Sequence, residues 1–294
     1  MPGWRNWIYA TDSKSVGRKA VRVRVPPQAQ SISKIKKSFE KAKRTLAFLR
    51  FRHMMMTMPK AKIPAGNYPW TPELAYVVGL LATDGNLSGD GRHVTMRSAE
   101  LEMIETFQKC LDDHHKLGTE IKPNGSISYR MQVCGVAFYR WLLTIGLFPA
   151  KSYTIGPLAI PDEFFRDFFR GCIDGDGSIR VYKDTYNEYR GRKYENQRLY
   201  VHLVSASPIF IDWIQDTVSA LTNIHGVVVN VPPRSEKHVP LYLLKYAKAE
   251  SLKIIDWIYY SPDVPCLQRK RKRAEDTAAI IRNQKRKTYS LISG

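Results

Sequence analysis

Residues 163–179 read E-F-F-R-D-F-F-R-G-C-I-D-G-D-G-S-I. A mostly apolar run of helical character carries Gly171 and ends in the Asp-Gly-Asp-Gly of residues 174–177. After it the pattern turns strand-like. A second copy lies upstream, where residues 74–87 read L-A-Y-V-V-G-L-L-A-T-D-G-N-L. Residues 77–85 set against residues 169–177 without a gap, so that Gly79 falls on Gly171, Asp84 on Asp176 and Gly85 on Gly177.

The flanking sequence repeats as well. Residues 94–104 (V-T-M-R-S-A-E-L-E-M-I) align on 201–211 (V-H-L-V-S-A-S-P-I-F-I), and Gln108 meets Gln215. The offset is 92 positions between Asp84 and Asp176 and 107 between Val94 and Val201, so the second copy holds 15 extra residues. They fit the polar stretch 183–197, expected as a loop. Two matched helix–strand–strand–helix units predict a pseudo-twofold molecule.

Local signals place the elements. Thr71 can cap a helix over 73–83 with Pro72 in its first turn, and Gly85 suits the position just past its end. A strand over 93–97 follows. A helix over 99–111 comes next, with Leu101, Ile104, Phe107 and Leu111 on one side. A hairpin (119–121 with 127–133) turns at Pro123-Asn-Gly125, and a helix over 136–143 closes the unit. In the second unit Asp162 or a neighbour is the expected cap of a helix over 164–174. Strands at 178–182 and 198–204, a helix at 209–221, strands at 227–231 and 241–246 and a helix at 251–259 complete it.

The chain has 294 residues and a formal net charge of +19. That balance points to a polyanionic partner. The charge is unevenly placed: residues 1–60 hold 15 Lys and Arg against 2 Asp and Glu, and residues 266–294 hold 9 against 2. The stretch between is close to neutral, so its case for nucleic acid must come from arrangement. Residues 1–65 read as a basic extension without a folded core. Within it, the Val-Arg-Val-Pro beginning at Val23 can be encoded by a stretch resembling the T-arm of a tRNA gene. This predicts that the segment is upstream sequence, with the start among Met54, Met55, Met56 and Met58. Four cysteines without a C-x-x-C pair support neither a zinc site nor a disulfide scaffold. No apolar run approaches the roughly 20 residues that span a bilayer. An intracellular protein of a prokaryote or an organelle is expected, with no membrane partner.

These residues resemble the LAGLIDADG homing endonucleases in their single-chain, two-motif form. The similarity runs from residue 74 to about residue 273 and includes G-L-F-P-A-K-S (146–152) and C-L-Q-R-K (266–270). It implies an α+β fold of two pseudo-symmetric αββαββα repeats, at 66–157 and 158–273, with a basic tail at 274–294. The motif helices would pack together through Gly79 and Gly171, and the antiparallel sheets would form a DNA-binding saddle. By motif match, Asp84 and Asp176 are the metal-binding catalytic acids, one for each DNA strand. The expected cofactor is Mg²⁺ or another divalent cation such as Mn²⁺. Asp174 has Ala82 as its counterpart and reads as structural. A polar group late in the last strand of each half is usual in the family, which here gives Gln132 and Lys245, with Arg130 a rival to Gln132. Candidate DNA contacts are Arg92, Arg97, Lys122, Arg130, Arg180, Lys183, Arg198 and Arg234. The loop with Arg190, Arg192 and Lys193 and the basic run 269–273 could add others. The implied activity is site-specific double-strand cleavage by a monomer at a long asymmetric target, as in intron homing. An RNA maturase acting on intron RNA is the alternative on the same fold. A DNA-binding regulator without cleavage is a third reading, and the presence of both acids argues against it.

Overall fold

A first helix, α1 (Pro72–Thr83), is buried along nearly its whole length, which its unbroken apolar sequence explains. Thr71 caps it as expected, accepting from the Leu74 N–H at 3.1 Å. The structure, a computed structural model, describes residues 65–113, 116–189, 192–233, 235 and 239–290. These belong to one compact unit, Arg52–Gly294. The expectations for the segment around Val23, for the start methionines, for Arg190 and for Arg234 lie outside the described residues.

After α1 come β1 (Gly85–Leu87), β2 (His93–Ser98), α2 (Leu101–Cys110), β3 (Gly118–Ile121), β4 (Ile127–Cys134) and α3 (Val136–Thr144). The second half repeats the order with α4 (Phe165–Asp174), β5 (Gly177–Tyr189), β6 (Arg192–Ser205), α5 (Pro208–Thr222), β7 (Val227–Val231), β8 (Leu241–Tyr246) and α6 (Lys248–Ile258). A last helix, α7 (Gln268–Ser290), follows. The fold is α+β, with two four-stranded antiparallel sheets ordered β1-β2-β4-β3 and β5-β6-β8-β7.

The sheets match position by position. Gly85 pairs with Met96, and their counterparts Gly177 and Leu203 pair likewise. Thr95 pairs with Gln132, as His202 does with Lys245. Period 2 gives each sheet a buried face, Val94, Met96 and Met131 in the first and Val201, Leu203 and Leu244 in the second. Ile104 and Phe107 of α2, and Phe210, Ile211 and Ile214 of α5, are buried in the same core.

Several local expectations are corrected. The strand β1 was missed, because three residues after a helix end carry no alternating pattern. The 15-residue insertion is no loop. It lengthens β5 and β6 into a hairpin in which Lys183 pairs with Gln197 and Tyr189 with Arg192. The buried stripe of α2 is Met103, Ile104 and Phe107, while Leu101 is exposed. Asp162 does not cap α4. It opens a short 3-10 turn, and Phe164 takes the cap position without a side-chain bond. Gly85 is no left-handed cap. It opens β1, and a side chain there would strike Leu81 of α1. Finally, α7 runs straight through residue 273, with Ala274, Thr277, Ala278 and Ile281 buried.

Candidate active site

The two motif helices touch through backbone. A methyl added to Gly79 would overlap the Phe168 carbonyl and fall 2.9 Å from the Gly171 Cα. A methyl on Gly171 would overlap the Tyr76 carbonyl and fall 3.0 Å from the Gly79 Cα. Only glycine at both positions allows this approach, and it brings the helix ends together. Gly175 lies under the first helix end, where a side chain would collide with Thr83 and come 3.1 Å from Asp84 Oδ2. Thr83 turns its hydroxyl back to the Gly79 and Leu80 carbonyls, at 3.2 and 3.0 Å. Asp84 and Asp176 therefore leave the two helix ends next to each other.

Both carboxylates reach solvent, but protein crowds them closely enough to strip water. Loss of hydration raises both carboxyls, and Asp84 rises to about 6 because the negative charge of Asp176 also acts on it.

Two lysines that sequence reasoning did not single out complete the group. Lys151 is buried, and its Nζ donates to the carbonyl of Gly85, the residue after Asp84. Lys270 is buried too, and its Nζ donates to Gly177 O at 2.9 Å, the carbonyl after Asp176. It also bonds Ile173 O at 2.8 Å and Asp174 O at 2.6 Å, closing the end of α4. Burial pushes the Lys151 amine down to about 8, against the pull of Asp176 and Asp84. Burial also lowers Lys270, and the charges of Asp174, Glu100 and Asp84 oppose it. Both lysines lower the acids in turn. Both lysines lie in the two segments quoted for the family resemblance, Lys151 next to the end of one and Lys270 at the end of the other, but neither segment shows that its lysine is buried.

Asp174 points away from this group. Its Oδ2 accepts from Tyr76 Oη at 2.9 Å and from the Leu267 N–H at 2.8 Å, joining α1, α4 and the lead into α7. Burial holds its carboxyl up near 6. Behind it, fully buried Arg170 bonds Asp167 at 2.6 Å and the Ile258 and Pro265 carbonyls at 2.8 Å.

Gln132 and Lys245 occupy equivalent positions on the outer faces of their sheets. Gln132 donates to Cys134 Sγ at 3.7 Å, and the Lys245 Nζ lies 4.1 Å from the centre of the Tyr200 ring. The cations acting on Asp84 are Lys270 and Lys151. Of the expected DNA contacts, Arg97 and Arg130 are cross-strand partners on the outer face of the first sheet, and Arg97 pairs with Glu120 at 3.2 Å. Arg180 and Arg198 fall on the outer face of the second, where Arg180 pairs with Tyr200 and Arg198 with Tyr182. Lys183 shares the parity of Ile179 and Val181 and so belongs to the opposite face. Arg92 precedes β2, and Lys122 sits in the turn between β3 and β4. Arg269, in the basic run, is tied to Glu100 at 2.6 Å.

The donor set suits a hard divalent cation that keeps most of its waters, since such an ion takes one or two protein carboxylates. Among the described residues no group of three or more His, Cys, Asp and Glu gathers to form a closed metal cage. No described helix is long and apolar enough to cross a membrane.

No family model and no curated protein matches the chain in sequence. Similar solved structures include the LAGLIDADG meganuclease I-AabMI bound to uncleaved DNA, at 13% identity and a TM-score of 0.49, over 74% of this chain and 93% of that one. The LAGLIDADG homing endonuclease I-LtrWI bound to target DNA matches at 12% identity and a TM-score of 0.48, over 74% and 91%. Full-length DUF199/WhiA from Thermatoga maritima matches at 12% identity and a TM-score of 0.45, over 77% and 68%.

Proposed function

We propose that this chain is a site-specific double-strand DNA endonuclease of the LAGLIDADG homing type, hydrolysing one phosphodiester in each strand. The observation that carries the proposal is the meeting of Asp84 and Asp176. The close approach of Gly79 and Gly171 brings one exposed carboxylate from each repeat to adjoining helix ends, with a Cβ on Gly175 falling 3.1 Å from Asp84 Oδ2, and the charge of Asp176 adds to the desolvation that raises Asp84. Structural acids in this protein look different: Asp167 and Asp174 are buried and bonded to Arg170, Tyr76 and backbone.

In this reading Asp84 and Asp176 would hold Mg²⁺ or Mn²⁺, one acid serving each strand. When bound, the cation supplies Lewis-acid polarisation of the phosphoryl oxygens and a water acidic enough to attack. Lys151 and Lys270 fix the turns that carry the acids, because each holds the carbonyl next to one acid. Their charge lets the acids share one site and adds positive potential where the phosphorane-like state gathers negative charge. Arg97, Arg130, Arg180 and Arg198 stand on the outer sheet faces, where they bind phosphate or base edges. Gln132 and Lys245 hold matching places on those faces and position water or backbone phosphate.

The test is cleavage of a randomised double-stranded library with Mg²⁺ by wild type, Asp84→Asn and Asp176→Asn. Wild type should cut a long asymmetric target in both strands, and each variant should lose at least about a hundredfold in rate, the scale of a lost transition-state contact. Cutting that survives both substitutions defeats the two-acid mechanism. No cutting, with tight binding to structured intron RNA, replaces it with the maturase reading.

A further inference from the structure

The two sheets are alike in topology and unlike in chemistry on their outer faces. On the first, Arg97 and Arg130 pair across β2 and β4, and Arg97 reaches Glu120 on β3. Their counterparts on the second sheet are Val204, Leu243 and Val231. Val204 pairs with Leu243, and Leu243 with Val229. Val227, Val229, Val231 and Leu241 are 62%, 40%, 37% and 37% exposed. A charged triad in one repeat is thus an uncovered apolar strip in the other. The strip owes nothing to the core, since α5 and α6 cover the opposite face, where Val201, Leu203 and Leu244 are buried.

The strip is continuous with a cationic, aromatic region on the same face. Tyr182 stacks on Tyr200, and Lys245 lies over Tyr200. Arg180 and Lys245 both act on His202, whose Nε2 is buried without a partner. One end of the face suits phosphate, and the other offers only methyl groups. In a DNA major groove the one apolar group on a base edge is the thymine 5-methyl.

From this, and resting on the endonuclease reading above, we propose that the outer face of β7 and β8 reads a thymine-rich stretch of the target through methyl contacts. The half-site under the second repeat is then specified by A·T pairs. The half-site under the first repeat is read by the hydrogen-bonding groups of Arg97, Arg130 and Gln132. Side chains two apart on a strand, and their neighbours across strands, stand about 5–7 Å apart, close enough to follow successive base pairs.

The experiment uses the full chain and targets recovered from a randomised duplex library. Arg130→Ala identifies the first repeat's half-site as the one whose preference relaxes. Thymines are then replaced by deoxyuridine in one half-site at a time, and affinity is measured by gel shift. The expected result is thymine enrichment in the second half-site and about a fourfold loss of affinity per contacted methyl removed there, the value of one buried methyl group. The first half-site should show little change. Leu243→Arg should move one position of the second half-site towards guanine. Recovered targets without thymine enrichment there, and no effect of deoxyuridine, overturn the inference while leaving the endonuclease reading intact. It is also overturned if the chain dimerises and Val229→Asp with Leu243→Asp makes it monomeric with DNA binding unchanged, since a second copy then covers the strip. Absence of any duplex binding overturns both readings.

Discussion

Asp174 and Asp176 stand two residues apart in one motif and do opposite things. Asp174 faces inward to Tyr76 and the Leu267 N–H, and Asp176 faces outward beside Asp84. The sequence separated them by a single criterion, since only Asp176 has an acidic counterpart. The lysines were harder to read. A lysine in a basic run is usually solvated, and nothing in C-L-Q-R-K shows that its last residue folds back onto four carbonyls between Ile173 and Gly177, where α4 passes into β5. Lys270→Met should therefore cost about 2–3 kcal/mol by leaving those acceptors unpaired, as thermal unfolding would show. The acids give a pH prediction for the metal-free protein. The folded state holds the Asp84 proton up to about 6, against an ordinary value of 3.8, so it binds more protons than the unfolded state between those values. Metal-free stability must then fall as pH rises through that window, and saturating Mg²⁺ must reverse the fall. Asp84→Asn should weaken the dependence without abolishing it, since Asp174 is also held near 6 and Asp176 is raised, and it should lift the metal-free melting temperature at pH 7 by roughly 2–4 °C, equivalent to about 1 kcal/mol after allowance for solvent screening.

At the scale of elements, the glycine contact and the long hairpin mark what sequence showed and what it concealed. Gly79 and Gly171 were legible as a pair because no other reading explains two glycines in register inside apolar helices. A methyl at either place meets backbone, which cannot rotate away. Gly171→Ala is expected to destabilise by about 3 kcal/mol, the upper end for overpacking, and calorimetry or urea unfolding would measure it. The hairpin of β5 and β6 was read as a loop because its polar residues carry no alternation. Residues 183–197 hold few apolar side chains, so the alternation that marks a strand is missing there. The end of α7 was concealed for a related reason. Basic residues dominate it, and its buried stripe of Ala274, Thr277, Ala278 and Ile281 has only one large apolar side chain. Ending the chain after Arg273 should lower the melting temperature measurably, and a tail without a packing role would leave it unchanged.

For the molecule as a whole, the repeat was the most legible feature and the net charge the least useful. Most of the excess positive charge lies in residues 1–60 and 266–294, and the folded halves are nearly neutral. What joins the halves is the helix contact, the Tyr76–Asp174 bond, and the start of α7. There Arg269 binds Glu100 and the Gln268 N–H donates to Glu102 at 2.8 Å. Those ties set the two acids against each other, and single-repeat sequence patterns could not show them. In the proposed mechanism, one acid from each repeat makes a single site that cuts both strands of duplex DNA. Its most direct measurement is Mg²⁺-dependent cleavage of the recovered target, followed on both strands, by wild type, Asp84→Asn and Asp176→Asn. Wild type should make a double-strand break, and either variant should lose at least about a hundredfold in rate. Unchanged cutting by both variants, or no cutting by a wild type that binds the duplex, would contradict it.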